Sequence, residues 1–219
     1  MSIAENIKTL KAELPEEVSL VAISKTKPKE DLLEAYEAGQ RLFGENKIQE
    51  MAEKWEELPK DIQWHMVGHV QRNKVKYMAP FVSLIHAVDS LKLLKEIEKQ
   101  AKKNDRKIQC LLQIKIAEED TKYGIDIEEA KNILLSDAYR EMSHVEIIGL
   151  MGMATLTEDQ AKIRSEFSFL KRTFDEFKKE HPTFSTLSMG MSGDYKIAIE
   201  CGSTMVRVGS AIFGERDYN

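Results

Sequence analysis

Eight short apolar runs, at residues 19–24, 41–43, 63–67, 81–86, 108–116, 145–151, 184–189 and 204–208, alternate with longer amphipathic stretches. Nothing else in the sequence limits the fold as tightly. The runs are often β-branched and close on a polar residue or glycine, as strands buried on both faces do. The stretches between them read as helices. In 157–180, Ile163, Phe167, Leu170, Phe174 and Phe177 recur at alternating helical spacings and make one apolar stripe. Thr157 with Gln160 is predicted to cap that helix, Asp126 with Glu129 to open another, and Pro28 to sit in the first turn of the helix after the first strand. Strands separated by helices pair in parallel, because parallel neighbours need a crossover. Eight of them predict a closed (β/α)8 TIM-type barrel with an extra N-terminal helix, rather than an open doubly wound sheet.

No Pro/Gly/Ser-rich linker or internal repeat divides the chain, so residues 1–219 are expected to form a single domain. With 42% hydrophobic and 32% charged residues, the chain falls in the globular class and outside the disordered and membrane classes. The net charge of −5, with signs interspersed, argues against nucleic acid as a partner, since phosphate binding needs a concentrated basic face. The lysine-rich stretch 99–107 reads as a solvated helix end. Residues 1–14 alternate charge and hydrophobe, unlike a signal peptide or a membrane span. Cys110 and Cys201 make no disulfide framework, which leaves the cytoplasm as the expected compartment.

In a parallel barrel, chemistry collects at the C-terminal ends of the strands. The first strand ends in Ser24-Lys25-Thr26-Lys27-Pro28, the second in Phe43-Gly44-Glu45-Asn46, the third in Gly68-His69 and the fourth in His86. A lysine closing an apolar strand can lose solvation and attack an aldehyde, although a plain surface lysine fits the same position. Strand parity does not separate Lys25 from Lys27, but Lys27 adjoins Pro28, where the chain already turns. Lys25 is therefore the better candidate. After the seventh strand, Gly190-Met191-Ser192-Gly193-Asp194 precedes a predicted helix (194–201), and Gly209-Ser210 follows the eighth. Both fit a phosphate site built from backbone N–H groups and hydroxyls, and both also fit ordinary turn chemistry. Arg207 sits among apolar residues in a strand that should be buried. There it needs an acceptor, either an internal carboxylate or a ligand atom such as a ring nitrogen. His65 and His69 are four residues apart, but in a strand pattern that spacing does not make a metal pair, and no metal site is expected.

These motifs resemble the pyridoxal phosphate homeostasis (YggS/PROSC) family, which is similar to the N-terminal barrel of alanine racemase. The resemblance covers essentially the whole chain. It is carried by Ala22-Ile23-Ser24-Lys25-Thr26-Lys27-Pro28, by Phe43-Gly44-Glu45-Asn46 with Gln49-Glu50, and by Trp64-His65-Met66-Val67-Gly68-His69-Val70-Gln71-Arg72-Asn73-Lys74. Further on it is carried by Gly149-Leu150-Met151-Gly152-Met153, Leu187-Ser188-Met189-Gly190-Met191-Ser192, Gly202-Ser203-Thr204-Met205-Val206-Arg207-Val208-Gly209 and Ile212-Phe213-Gly214-Glu215-Arg216. Val70 stands where leucine is usual. The resemblance implies pyridoxal 5′-phosphate (PLP) held as a Schiff base on Lys25, with Ser192, Gly209 and Ser210 around its phosphate. It further implies Arg207 facing the pyridine nitrogen and Asn46 lining the pocket.

The resemblance also frames the question of catalysis. A permanent donor such as Arg207 keeps the ring nitrogen unprotonated, which weakens the cofactor as an electron sink but still permits racemisation. Racemisation needs acid/base groups on both faces, and in the racemase the second is a tyrosine from another domain. The sequence ends at Asn219, soon after the eighth strand, and of its tyrosines (Tyr36, Tyr77, Tyr123, Tyr139, Tyr195, Tyr218) only Tyr195 follows a site loop. The expectation is a PLP-binding protein of vitamin B6 homeostasis with no assigned catalytic residue, monomeric, with PLP-dependent apo-enzymes as recipients. The alternative is a PLP-dependent amino-acid racemase.

Overall fold

The computed structural model describes residues 2–118 and 123–214. In chain order the elements are α1 (Ile3–Glu13), β1 (Ser19–Ile23), α2 (Lys29–Glu37), β2 (Leu42–Glu45), α3 (Ile48–Glu57), β3 (Gln63–Met66), α4 (Val75–Met78), β4 (Val82–Val88), α5 (Leu91–Lys103) and β5 (Ile108–Gln113). There follow α6 (Ile127–Leu135), α7 (Asp137–Arg140), β6 (Val145–Met151), α8 (Gln160–Glu180), β7 (Thr186–Ser188), α9 (Tyr195–Glu200), β8 (Met205–Val208) and α10 (Ser210–Phe213). A short 3-10 turn, Arg72–Lys74, leads into α4. The eight strands pair in sequence order, all parallel, and β8 closes on β1 with Val21 opposite Arg207. The predicted barrel and its leading helix are both present.

Side-chain alternation divides the core in two. From β1, Leu20 and Ala22 face the helices, in a cluster with Phe43, Trp64, Met66, Phe167, Leu170 and Val206. Val21 and Ile23 face inward, with Leu84, Leu111, Ile148, Met151 and Met205. This parity fixes what reaches the barrel axis. Lys25 continues the inward series of Val21 and Ile23 just past the strand, and Arg207 continues that of Met205.

Several local expectations shift. The helix expected from Thr157 begins at Gln160, and Asp159 caps it by accepting from the N–H groups of Ala161 and Lys162; Thr157 Oγ1 instead accepts from Asp159 N–H. Asp159 can serve two helix amides, which a residue two positions earlier cannot reach. Pro28 is the N-cap of α2, one position before the first turn, and Asp126 caps α6 as expected. The fifth strand stops at Gln113, beyond which Ile114 pairs with Ile125. At the N-terminus, Ser2 and Glu5 form a reciprocal capping box on α1. Asn6 Nδ2 donates to Ile212 O at 2.8 Å, joining α1 to α10 and so the first helix to the last.

Candidate cofactor site at the C-terminal mouth of the barrel

A cavity of about 430 Å³ opens where β1, β7 and β8 end. Lys25, Lys27, Ser192, Arg207, Gly209 and Ser210 line it, with Ile23, Leu156 and Met191 as its apolar wall. Its size suits a small cofactor. Five of the six predicted site residues meet here. The sixth does not: Asn46 lines a separate hollow of about 260 Å³ with Gln49, His69, Gln71 and Lys74. By strand alternation Asn46 has the same inward parity as Gly44, which faces Val21 and Ile23, and its backbone packs against Gly68.

Lys25 stands in a tight turn. Ser24 O accepts from Lys27 N–H at 3.1 Å, which makes Lys25 and Thr26 the central residues, and Thr26 has φ 63°. That conformation is disfavoured for a β-branched side chain. Around it lies a buried polar cluster on the helix-facing side of the barrel. Lys54 Nζ donates to Ser24 O, Glu45 Oε1 and Glu50 Oε1, each at 2.8 Å, and Ser24 Oγ donates to Glu45 Oε1 at 2.7 Å. All three donors of the ammonium are used. Burial raises the Glu45 carboxyl above its ordinary range, against the opposing pull of Lys54. Lys27 Nζ donates to Phe213 O at 2.9 Å, tying the second lysine to α10.

The two glycine–serine loops meet as predicted. Gly209 N–H donates to Ser192 Oγ at 3.2 Å. Asp194 Oδ1 accepts from Met191 N–H at 2.5 Å and tightens the loop ahead of α9, which starts at Tyr195, one residue later than expected. Gly190 opens this loop at φ 98°, and a Cβ there would lie 2.6 Å from that of Ala198. No side chain caps the start of α10, where Gly209 and Ser210 line the cavity. A Cβ on Gly209 would meet Ile23 O at 3.2 Å, so glycine keeps this loop close to β1.

Arg207 is 4% exposed, and its partners are neutral: Nη1 donates to Ser188 Oγ at 2.6 Å and Nη2 to Gly152 O at 3.1 Å. Burial lowers its pKa to about 10, with Asp194 opposing, so it remains a cation at neutral pH. The contacts run on across the barrel. His86 Nδ1 lies 3.0 Å from Ser188 Oγ, and His86 Nε2 lies 3.0 Å from His65 Nδ1. Arg207 donates to Ser188 Oγ; a Ser188 hydroxyl turned to His86 Nδ1, with His86 Nε2–H turned to His65 Nδ1, gives each of these groups a partner. Both histidines stay neutral because burial depresses them, His65 to about 4 and His86 well below its ordinary value, the latter also through His65 and Arg207.

The role of Ser188, His65 and His86 in orienting Arg207 was missed from sequence, as were Glu50 and Lys54 around the Lys25 turn. A signal existed for the first three: like Arg207, they are polar residues in buried strands. Tyr195, the tyrosine nearest the site in sequence, points elsewhere, its hydroxyl donating to Glu13 Oε2 of α1 at 2.9 Å. His69 lies 3.4 Å from Asp89 and stacks on Tyr123. Glu215, Arg216 and Tyr218 lie outside the described residues.

The family described as alanine racemase, N-terminal domain, matches residues 1–217. The pyridoxal phosphate homeostasis protein of Aquifex aeolicus (strain VF5) is 39% identical over 91% of this chain and 87% of that protein. The chain belongs to the pyridoxal phosphate homeostasis protein family. Among solved structures, PipY of Synechococcus elongatus PCC7942 with PLP bound is 34% identical, with a TM-score of 0.89 over 97% of this chain and 100% of that one. Alanine racemase from E. faecalis shares the fold at 16% identity, with a TM-score of 0.75 over 98% of this chain and 58% of that one. The chain thus shares its barrel fold with these structures.

Proposed function

We propose that this chain binds pyridoxal 5′-phosphate at the mouth of its barrel and serves in PLP homeostasis in the cytoplasm. Lys25 holds the cofactor covalently, Ser192, Gly209 and Ser210 receive its phosphate, and Arg207 faces its ring nitrogen. One observation carries this reading: residues from three distant segments, an amine, an anion-type pair of loops and a buried guanidinium, line one cavity of fitting size. When bound, PLP supplies an aldehyde that condenses with a primary amine. The chain's residues then have separate tasks. The hydroxyls and amides of the two loops bind an anion, Arg207 donates toward an acceptor at the cavity floor, and Ile23 and Met191 exclude water from the wall.

The reading assigns no catalytic residue. Lys25 is one acid/base group at the cavity, and no tyrosine stands among its described lining residues. No described helix is long and apolar enough to cross a membrane. We propose further that the protein acts as a monomer and passes PLP to PLP-dependent apo-enzymes, which size-exclusion chromatography and transfer assays against such enzymes would test. For the central claim, the purified protein is expected to absorb visible light. Borohydride followed by peptide mapping should place the label on Lys25, with none in Lys25→Ala. A colourless protein reconstituted with PLP, or a label on Lys27, would refute it. Exchange of an amino-acid α-proton dependent on Lys25 would favour the racemase reading.

A further inference from the structure

The turn that carries Lys25 has an unfavourable backbone conformation and a specific clamp. Thr26 at φ 63° occupies the place in a tight turn where glycine is the usual residue. Its N–H is not left to solvent: it donates to Glu50 Oε1 at 2.5 Å, across from the first turn of α3. That same carboxylate oxygen accepts from Lys54 Nζ at 2.8 Å. Lys54 is itself held by Glu45 of β2 and by Ser24 O, the carbonyl that closes the turn. Lys54, Glu45 and Ser24 are buried, at 4%, 0% and 0% exposure. None of Glu45, Glu50 and Lys54 lines the cavity. A buried ammonium with two carboxylates costs more to assemble than an apolar contact of the same volume, so its presence at this turn calls for a function.

We propose that Glu50, oriented by Lys54, is a positioning residue for Lys25. By accepting the Thr26 N–H it holds the turn in its left-handed conformation, and this directs the Lys25 side chain into the cavity instead of along the rim. The inference rests on Lys25 being the amine that holds PLP. Its physical content is that Glu50 offsets a backbone cost that a glycine at position 26 would not incur.

The test is a rescue experiment on the full chain, titrated with PLP and followed by visible absorbance. Glu50→Ala is expected to weaken PLP binding about tenfold, as loss of a clamp on a strained turn should. Glu50→Gln, which keeps the acceptor, is expected to bind much as the wild type does. In the double variant Thr26→Gly with Glu50→Ala, binding should return most of the way, although no contact to the cofactor is restored. A merely structural role for Glu50 would not respond to glycine at position 26. Wild-type affinity in Glu50→Ala, or no recovery in the double variant, overturns the proposal. Should Glu50→Ala fail to fold, amide hydrogen exchange of the wild-type protein decides. The Thr26 amide is expected to exchange at least about tenfold slower than in an unstructured chain, and exchange at the free rate overturns the clamp. The Lys25→Ala control is separate: if that variant keeps its borohydride label, the assignment of Lys25 fails, whatever Glu50 does.

Discussion

Lowering the pH should destabilise this barrel through His65 in a way that one substitution removes. His65 is 3% exposed, has Nδ1 3.0 Å from His86 Nε2, and is pushed by burial from 6.5 to about 4. Unfolded, it takes up a proton near pH 6.5; folded, it resists until near pH 4. Between those values the unfolded chain binds more protons, so stability falls as pH falls. Integrating from about pH 7.5 to about pH 5 gives a loss of about 2 kcal/mol for His65 alone, or a fall in Tm of about 4 °C for a chain of this length. His65→Asn places an amide oxygen near the former Nδ1, where it still accepts from His86, and nothing at position 65 then titrates. Urea unfolding of both proteins at the two pH values isolates the effect, because the carboxylates and His86 contribute to both. The wild type should lose about 2 kcal/mol more than the variant over the interval. Parallel losses would mean that His65 is not held neutral in the barrel, and the hydrogen-bond direction from Arg207 through Ser188 and His86 would fall with it.

The other predictions concern the cavity and the core. Arg207→Met leaves Ser188 and Gly152 O without their cation. Urea unfolding should register a loss of about 1–3 kcal/mol, and PLP titration a weaker affinity; an unchanged affinity would separate Arg207 from the cofactor. Gly209→Ala puts a methyl 3.2 Å from Ile23 O and should shift the loop by a few tenths of an ångström. Binding of inorganic phosphate and of PLP should drop together, while unequal losses would argue against a shared anion site. Cys110 is fully buried, with its thiol pKa raised by that burial, whereas Cys201 is partly exposed. A thiol reagent should therefore label Cys201 in the native protein and reach Cys110 only after unfolding, as mass spectrometry of the labelled peptides can check.

Much of this molecule was legible in the chain. Strand number, parallel pairing and closure follow from eight apolar runs separated by helical stripes, because hydrophobic period and crossover length are local properties. Lys25, Ser192, Arg207, Gly209 and Ser210 were readable for a related reason: in this fold the strand ends share one rim, so adjacency in space follows from position along each strand. Helix starts were less secure, since Thr157 and Asp159 both carry capping groups and only the path of the chain selects between them.

The tertiary structure decided what parity and register control. Asn46 shares the rim with Lys25 in sequence terms and has the inward parity of Gly44, yet beyond the end of β2 it lines a hollow with Gln49, His69, Gln71 and Lys74. Ser188, His86 and His65 join Arg207 only because β7, β4 and β3 bring their inward side chains to one level of the barrel. For Arg207 the sequence left open an internal carboxylate or a ligand atom; the fold supplies instead the Ser188 hydroxyl and the Gly152 carbonyl. The sequence by itself determined the barrel and the end at which its chemistry collects, because both depend on local periodicity. The clamp on the Thr26 turn and the hydrogen-bonded path across the interior depend on contacts between residues 19 to 102 positions apart, and only the closed barrel brings those together.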